Sequence, residues 1–139
     1  MNRVVYVSRG GNTKKLADAI AGGAGASAVS VEHFGPSDTA DTLYVGASIY
    51  AGAIDGKLRQ FLAGLKPSRV KRVVVFGTSA GKKTALPEVK SILEPNGVAV
   101  SDDEFHCRGS FLIVNRGRPN EEDLKQAEAF AQRTCGGRK

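Results

Sequence analysis

Ser8-Arg9-Gly10-Gly11-Asn12-Thr13 gathers hydroxyls, a guanidinium and two glycines between the apolar run Val4-Val5-Tyr6-Val7 and residues at helical spacing, Leu16, Ala17, Ile20 and Ala21. That placement suits a phosphate. N–H groups at a helix N-terminus have no intrahelical partner and point at an anion. The hydroxyls of Ser8 and Thr13 add donors, and Gly10 and Gly11 let the main chain come close. An ordinary glycine turn is the competing account of the same six residues.

The other chemistry-bearing residues exclude more than they offer. A nucleotide P-loop needs four residues between its glycines, then Lys and Ser or Thr. In Gly77 to Thr84 only Thr78, Ser79 and Ala80 separate the glycines, and Lys82-Lys83 follows. Gly10-Gly11 lacks the GxGxxG spacing of a dinucleotide fingerprint, which disfavours NAD as the resident cofactor. Cys107 and Cys135 form no CxxC pair and no Cys/His cluster with zinc spacing, so no metal site is expected. His106 and Cys107 are neighbours in a strand and point to opposite faces, so a core Cys and a surface His are expected rather than a nucleophile and its base. His33 reads as a loop residue and Cys135 as a terminal thiol. No catalytic acid, base or nucleophile is nominated.

These residues need elements to position them. Arg3 to Val7 is a first strand, and the helix after Thr13 closes at Gly22-Gly23. Ala28 to Val31 is a second strand, and His33 to Asp41 is a loop or at most one helical turn. Thr42 to Ala47 is a third, apolar as a strand covered on both faces should be, with the loop Ser48 to Ile54 after it. Asp55 caps a helix carrying Leu58, Phe61, Leu62 and Leu65 on one face, and Lys66-Pro67 stops it. Val70 to Phe76 is the fourth strand, Gly77 to Lys83 its loop, and Leu86, Val89, Ile92 and Leu93 mark a helix up to Pro95-Asn96-Gly97. Val98 to Val100 and Glu104 to Cys107 make a fifth, interrupted strand. After a polar loop, Asn120 caps the last helix, with Glu121, Glu122 and Asp123 where the helix dipole favours negative charge. Leu124, Ala127, Phe130 and Ala131 face inward, and residues 136–139 are a frayed tail.

Strands alternating with helices predict one α/β domain over residues 1–139, with a parallel sheet, right-handed crossovers and helices on both faces. The loops after strands one, three and four then emerge at the same carboxyl edge, where such folds bind ligands. A receiver domain shares this architecture but needs acidic residues after strand one and an Asp after strand three. This chain has Ser8-Arg9 and Ala47-Ser48 there.

Ser8 to Thr13 resembles the phosphate loop of the flavodoxin family, Thr/Ser-x-Thr/Ser-Gly-x-Thr, in which hydroxyls and amides hold the FMN phosphate. Gly10 departs from that pattern and removes one hydroxyl, and Arg9 can make a charge-assisted contact instead. Gly46-Ala47-Ser48-Ile49-Tyr50-Ala51-Gly52 resembles the family's flavin-ring loop. That likeness implies that Tyr50 stacks on the isoalloxazine while its small neighbours let the main chain bond to ring atoms. Gly77, Thr78, Ser79, Ala80 and Gly81 hold the position of the second flavin loop but bring no aromatic, so a more open flavin face is expected. The resemblance covers nearly the whole chain. It implies a flavodoxin-like three-layer sandwich with a five-stranded parallel sheet in the order 2-1-3-4-5, FMN as cofactor, and electron transfer to redox partner proteins.

The 139 residues fit one domain, and 41% hydrophobic with 24% charged residues is a globular composition. Lys and Arg number 20 against 14 Asp and Glu, a net charge of +6. The charges are dispersed and not interleaved with aromatics, so no nucleic-acid surface is expected. Family members used as low-potential carriers are acidic, whereas here Lys82 and Lys83 adjoin a flavin loop and Arg108 lies near the same edge. Positive potential there favours the reduced flavin anion, makes that couple less negative and points to an acidic docking partner. Val4 to Val7 is too short for a signal-peptide core, no stretch approaches a membrane span, and the cysteine pattern fits a reducing compartment, so a cytoplasmic location is expected. Two alternatives stay open. Gly46-Ala47-Ser48-Ile49-Tyr50 is also similar to the menaquinone-dependent protoporphyrinogen dehydrogenases, FMN enzymes whose additional loop this chain is too short to carry. Gly10 and the missing second aromatic motivate a flavin-free interaction module on the same fold.

Overall fold

The computed structural model describes residues 2–7, 12–35, 37–50, 53–79, 85–108 and 120–135, with only the main chain described at 12, 48–50, 53, 79, 107 and 108. The valine-rich runs form strands because β-branched side chains fit a pleated, half-buried surface. In chain order the elements are β1 (Asn2–Tyr6), α1 (Asn12–Ala24), β2 (Ala28–Ser30), β3 (Ala40–Tyr50), β4 (Ala53–Ile54), α2 (Gly56–Ala63), β5 (Val70–Ser79), α3 (Leu86–Leu93), β6 (Ala99–Arg108) and α4 (Glu121–Thr134). Short 3₁₀ turns cover Val31–His33 and Glu94–Asn96.

The sheet runs β2-β1-β3-β5-β6 with every neighbour parallel, and β4 turns back antiparallel onto the end of β3. Setting β4 aside, this is the expected five-stranded parallel sheet in the order 2-1-3-4-5, the flavodoxin-like arrangement. Alternation along the strands sends side chains to two cores. Val5, Leu43, Val45, Val73 and Val75 pack with Leu58 and Leu62 of α2 and Val89 and Leu93 of α3. Val4, Tyr44, Val74 and Phe76 pack with Leu16 and Ile20 of α1 and Ala127 and Phe130 of α4. Full burial of each such Val, Leu or Ile is worth about 1.5–3 kcal/mol, so the two layers of helices are held mainly by these stripes.

Several expected boundaries move. Gly22-Gly23 does not end α1, which continues to Ala24, and the left-handed residue after it is Gly25 at φ 67°. Gly23 instead marks the place where α4 crosses: a Cβ there would lie 2.3 Å from the Glu128 carbonyl oxygen and 2.9 Å from the Ala131 Cβ. The second strand stops at Ser30, with Val31 opening the 3₁₀ turn. The stretch Ser48 to Ile54 is not a loop throughout, because β3 extends to Tyr50 and Ile49 and Tyr50 pair with Ile54 and Ala53. Likewise β5 runs on through Gly77 and Thr78 to Ser79 rather than stopping at Phe76. Helix α2 ends at Ala63 with Gly64 as its cap, before Lys66-Pro67 is reached.

Strand β6 is continuous where an interrupted strand is expected, but it is irregular at the same place. Val73 pairs with Val100 and Val75 with Glu104, so β6 carries extra residues between these rungs. The Asp103 N–H donates to the Ser101 hydroxyl at 3.1 Å, turning the main chain inside the bulge. The cap assignments agree with expectation. The Asp55 side chain accepts from the Lys57 N–H, and Asn120 forms a reciprocal capping box with Asp123. Residues 136–139 lie outside the described residues.

Candidate functional site

Strand β1 lies between β2 and β3, so the chain departs from its two sides in opposite directions. Such a switch point opens a crevice beyond the carboxyl ends of the strands. β1 ends at Tyr6, which pairs with Gly46, and α1 begins at Asn12, facing the same edge. The first turn of α1 holds no acidic residue and carries Lys14 and Lys15. Its amides therefore meet an anion without a competing carboxylate. Lys14 pairs with Asp18 at 3.1 Å, and this hydrogen bond raises the ammonium pKa above its usual value, keeping the charge in place.

Thr13 is fully buried, and its Oγ1 lies 3.2 Å from Thr78 Oγ1. That contact fastens the start of α1 to β5 and joins two of the three expected segments. The third passes between them: a Cβ on Gly46 would lie 3.1 Å from Thr13 Cγ2 and 2.6 Å from Phe76 Cζ. Only hydrogen fits at that position without pushing the buried Phe76 ring or the start of α1. Beyond it Ala47, Ser48 and Ile49 pair with Gly77, Thr78 and Ser79. Gly77 is as constrained as Gly46, since a Cβ there would lie 2.3 Å from the Ala47 carbonyl oxygen.

Residues 48–50 and 77–79, expected in two loops, thus occupy paired strand ends. On the far side, Gly77, Thr78 and Ser79 pair with His106, Cys107 and Arg108, which brings the Arg108 main chain to the same edge. His106 is half-buried rather than on the surface. Asn12, Thr13, Ala47, Ser48, Ile49, Tyr50, Gly77, Thr78 and Ser79 are therefore gathered at one edge. Ser8, Arg9, Gly10, Gly11, Ala51, Gly52, Ala80 and Gly81 lie outside the described residues, as do Lys82 and Lys83.

Sequence reasoning missed Glu88. Its Oε1 accepts from the Ile54 N–H at 3.0 Å, while Oε2 accepts from Arg59 Nη2 at 2.7 Å and Nε at 3.3 Å. No local pattern links residues 34 positions apart, so nothing in the sequence could have flagged it. Among the described residues no group of three or more His, Cys, Asp or Glu could hold a metal ion, and no helix is long and apolar enough to cross a membrane.

Amides and a hydroxyl at a helix N-terminus beside paired strand ends are an arrangement that suits an anion. A family model described as a flavodoxin domain matches residues 3–109, a span that contains all three segments. An uncharacterized protein of Methanocaldococcus jannaschii is 27% identical over 134 residues, covering 87% of this chain and 88% of its own. Among solved structures, a flavodoxin from the domain Archaea superposes with a TM-score of 0.78 at 18% identity, over 98% of this chain and 96% of that one. The flavodoxin, WrbA-like protein from Agrobacterium tumefaciens gives a TM-score of 0.76 at 19% identity, over 98% and 95% of the two chains.

Proposed function

The chain belongs to the flavodoxin domain family, and from that premise we propose that it is a single-domain, cytoplasmic, FMN-binding electron carrier that serves redox partner proteins. In this reading Ser8, Arg9, Gly10, Gly11, Asn12 and Thr13 hold the phosphate. Ala47, Ser48, Ile49, Tyr50, Ala51 and Gly52 line one side of the ring with Tyr50 stacked on it, and Gly77, Thr78, Ser79, Ala80 and Gly81 line the other edge. The bound FMN supplies the redox chemistry, and the protein supplies position and potential.

The observation that carries the reading is the buried Thr13–Thr78 hydroxyl contact at an α1 N-terminus free of acidic residues. It ties the phosphate end of the site to the ring end. A hydroxyl there donates to a dianion without adding a cation. The glycines at 46 and 77 let β3, β5 and the start of α1 pack closely, which holds the main chains of the site in place.

Titration of the apoprotein with FMN, followed by calorimetry and visible absorbance, is expected to saturate with a perturbed flavin spectrum. Thr13→Val should weaken FMN at least about tenfold, as loss of a hydrogen bond to a charged group implies, and leave riboflavin within about threefold. Absence of saturable binding in the wild type would overturn the reading. Turnover of quinones or porphyrinogens with no protein partner would replace the carrier with an enzyme.

A further inference from the structure

The return strand β4 is only Ala53–Ile54, pairing with Ile49 and Tyr50 at the very end of β3. A two-residue strand is too short to hold itself, since isolated hairpins are marginal even when much longer. Something else must hold it. The Ile54 side chain is buried, and its N–H donates to Glu88 Oε1 at 3.0 Å. The other carboxylate oxygen receives Arg59 through Nη2 at 2.7 Å and Nε at 3.3 Å. Glu88 lies in the first turn of α3 and Arg59 in α2, which starts directly after β4 and its cap Asp55. One carboxylate therefore braces three elements: β4 through its main chain, α2 through a guanidinium, and α3 through its own backbone.

We propose that Glu88 is a positioning residue that, through Ile54 and Arg59, fixes the end of β3 at Ile49–Tyr50 against the flavin ring. The inference rests on the FMN reading above for its ligand, and on geometry alone for the brace. Glu88 lies in the helix that follows β5 in the chain, so the contact ties β4, and through it the end of β3, to that helix. The acceptor matters more than the charge. Arg59 is 49% exposed and Glu88 29%, so the ion pair alone is worth little in water, whereas the bond to the main-chain N–H of a buried residue is not replaced by solvent.

Two measurements on the full chain decide it. Amide hydrogen exchange on the apoprotein is expected to show Ile54 at least about tenfold faster in Glu88→Ala than in wild type, with Leu43 to Val45 unchanged, the signature of local rather than global opening. Equal exchange at Ile54 would overturn the brace. Flavin titrations then test the role: Glu88→Ala should weaken FMN and riboflavin by the same factor, about tenfold, and alter the visible circular dichroism of the bound ring. Glu88→Gln keeps an acceptor for Ile54 and should recover most of the affinity. Unchanged riboflavin affinity and dichroism in Glu88→Ala would overturn the positioning role. If wild type binds neither flavin, the FMN reading and the ring-positioning role fall together, and exchange at Ile54 still decides the brace.

Discussion

Tyr44 shows how one side chain can be both core and polar. Its ring is fully buried between α1 and α4, and its hydroxyl lies 2.8 Å from Thr134 Oγ1 and 3.4 Å from the Ala131 carbonyl. Arg72 donates to the Thr134 carbonyl at 2.9 Å, closing the end of α4 with a cation where the helix dipole favours one. Burial pushes the phenol above its ordinary value of 10.0 because the phenolate would lose its solvation. A pKa raised in the folded state means that the stabilisation is complete below about pH 10 and is lost as pH rises toward the folded value. Urea midpoints of the wild type should therefore fall more steeply between about pH 9 and 11 than those of Tyr44→Phe. At neutral pH Tyr44→Phe should cost only about 1 kcal/mol, since the Thr134 hydroxyl keeps the Phe130 carbonyl at 2.9 Å. Parallel pH slopes would show that Tyr44 does not carry the alkaline limb.

At the scale of elements, two adjacent glycines in α1 should answer to substitution with opposite signs. Alanine is the better helix former by about 0.5–1 kcal/mol. A Cβ on Gly22 meets only Glu128 Oε2 at 3.6 Å, so Gly22→Ala should stabilise by roughly that amount. A Cβ on Gly23 would sit 2.3 Å from the Glu128 carbonyl oxygen, which cannot move without shifting α4, so Gly23→Ala should destabilise by about 1–3 kcal/mol. Urea denaturation checks both, and like signs would contradict the close crossing of α1 and α4. The same pair shows why some boundaries were illegible. Glycines read as punctuation because their composition signals an end, yet Gly23 is required by a helix far away in sequence. Ser48 and Gly77 read as loop for a similar reason: residues with little or no side chain are weak strand formers alone, and it is the pairing of β3 with β5 that carries them into the sheet. Asp55 and Asn120 were legible because a cap is a local contact two or three residues long. Thr13 stood out in the sequence as a candidate, but its bond to Thr78, 65 positions away, was not legible.

For the molecule as a whole, the net charge of +6 is distributed unevenly along the chain. Residues 8–11, 80–84 and 109–119 follow the carboxyl ends of β1, β5 and β6, and they contain Arg9, Lys82, Lys83, Arg116 and Arg118 without a single Asp or Glu. At the amino edge two of the cations are held by a ring. Arg3 and Arg69 stack on the Phe34 ring at 5.4 and 5.2 Å, and Arg3 reaches Asp38 at 3.9 Å. Under the proposed function the positive charge of these segments would steer an acidic partner toward the ring. Such steering is screened over about 10 Å at 0.1 M salt. Stopped-flow electron transfer between the FMN-loaded protein and a strongly acidic redox protein should slow at least about tenfold between low and physiological ionic strength, as steered association does. Lys82→Glu with Lys83→Glu should flatten that dependence and shift the second reduction step to a more negative potential, since both rest on the same field. A rate indifferent to salt would place docking elsewhere. A double variant with unchanged potential would mean that these lysines do not act on the ring.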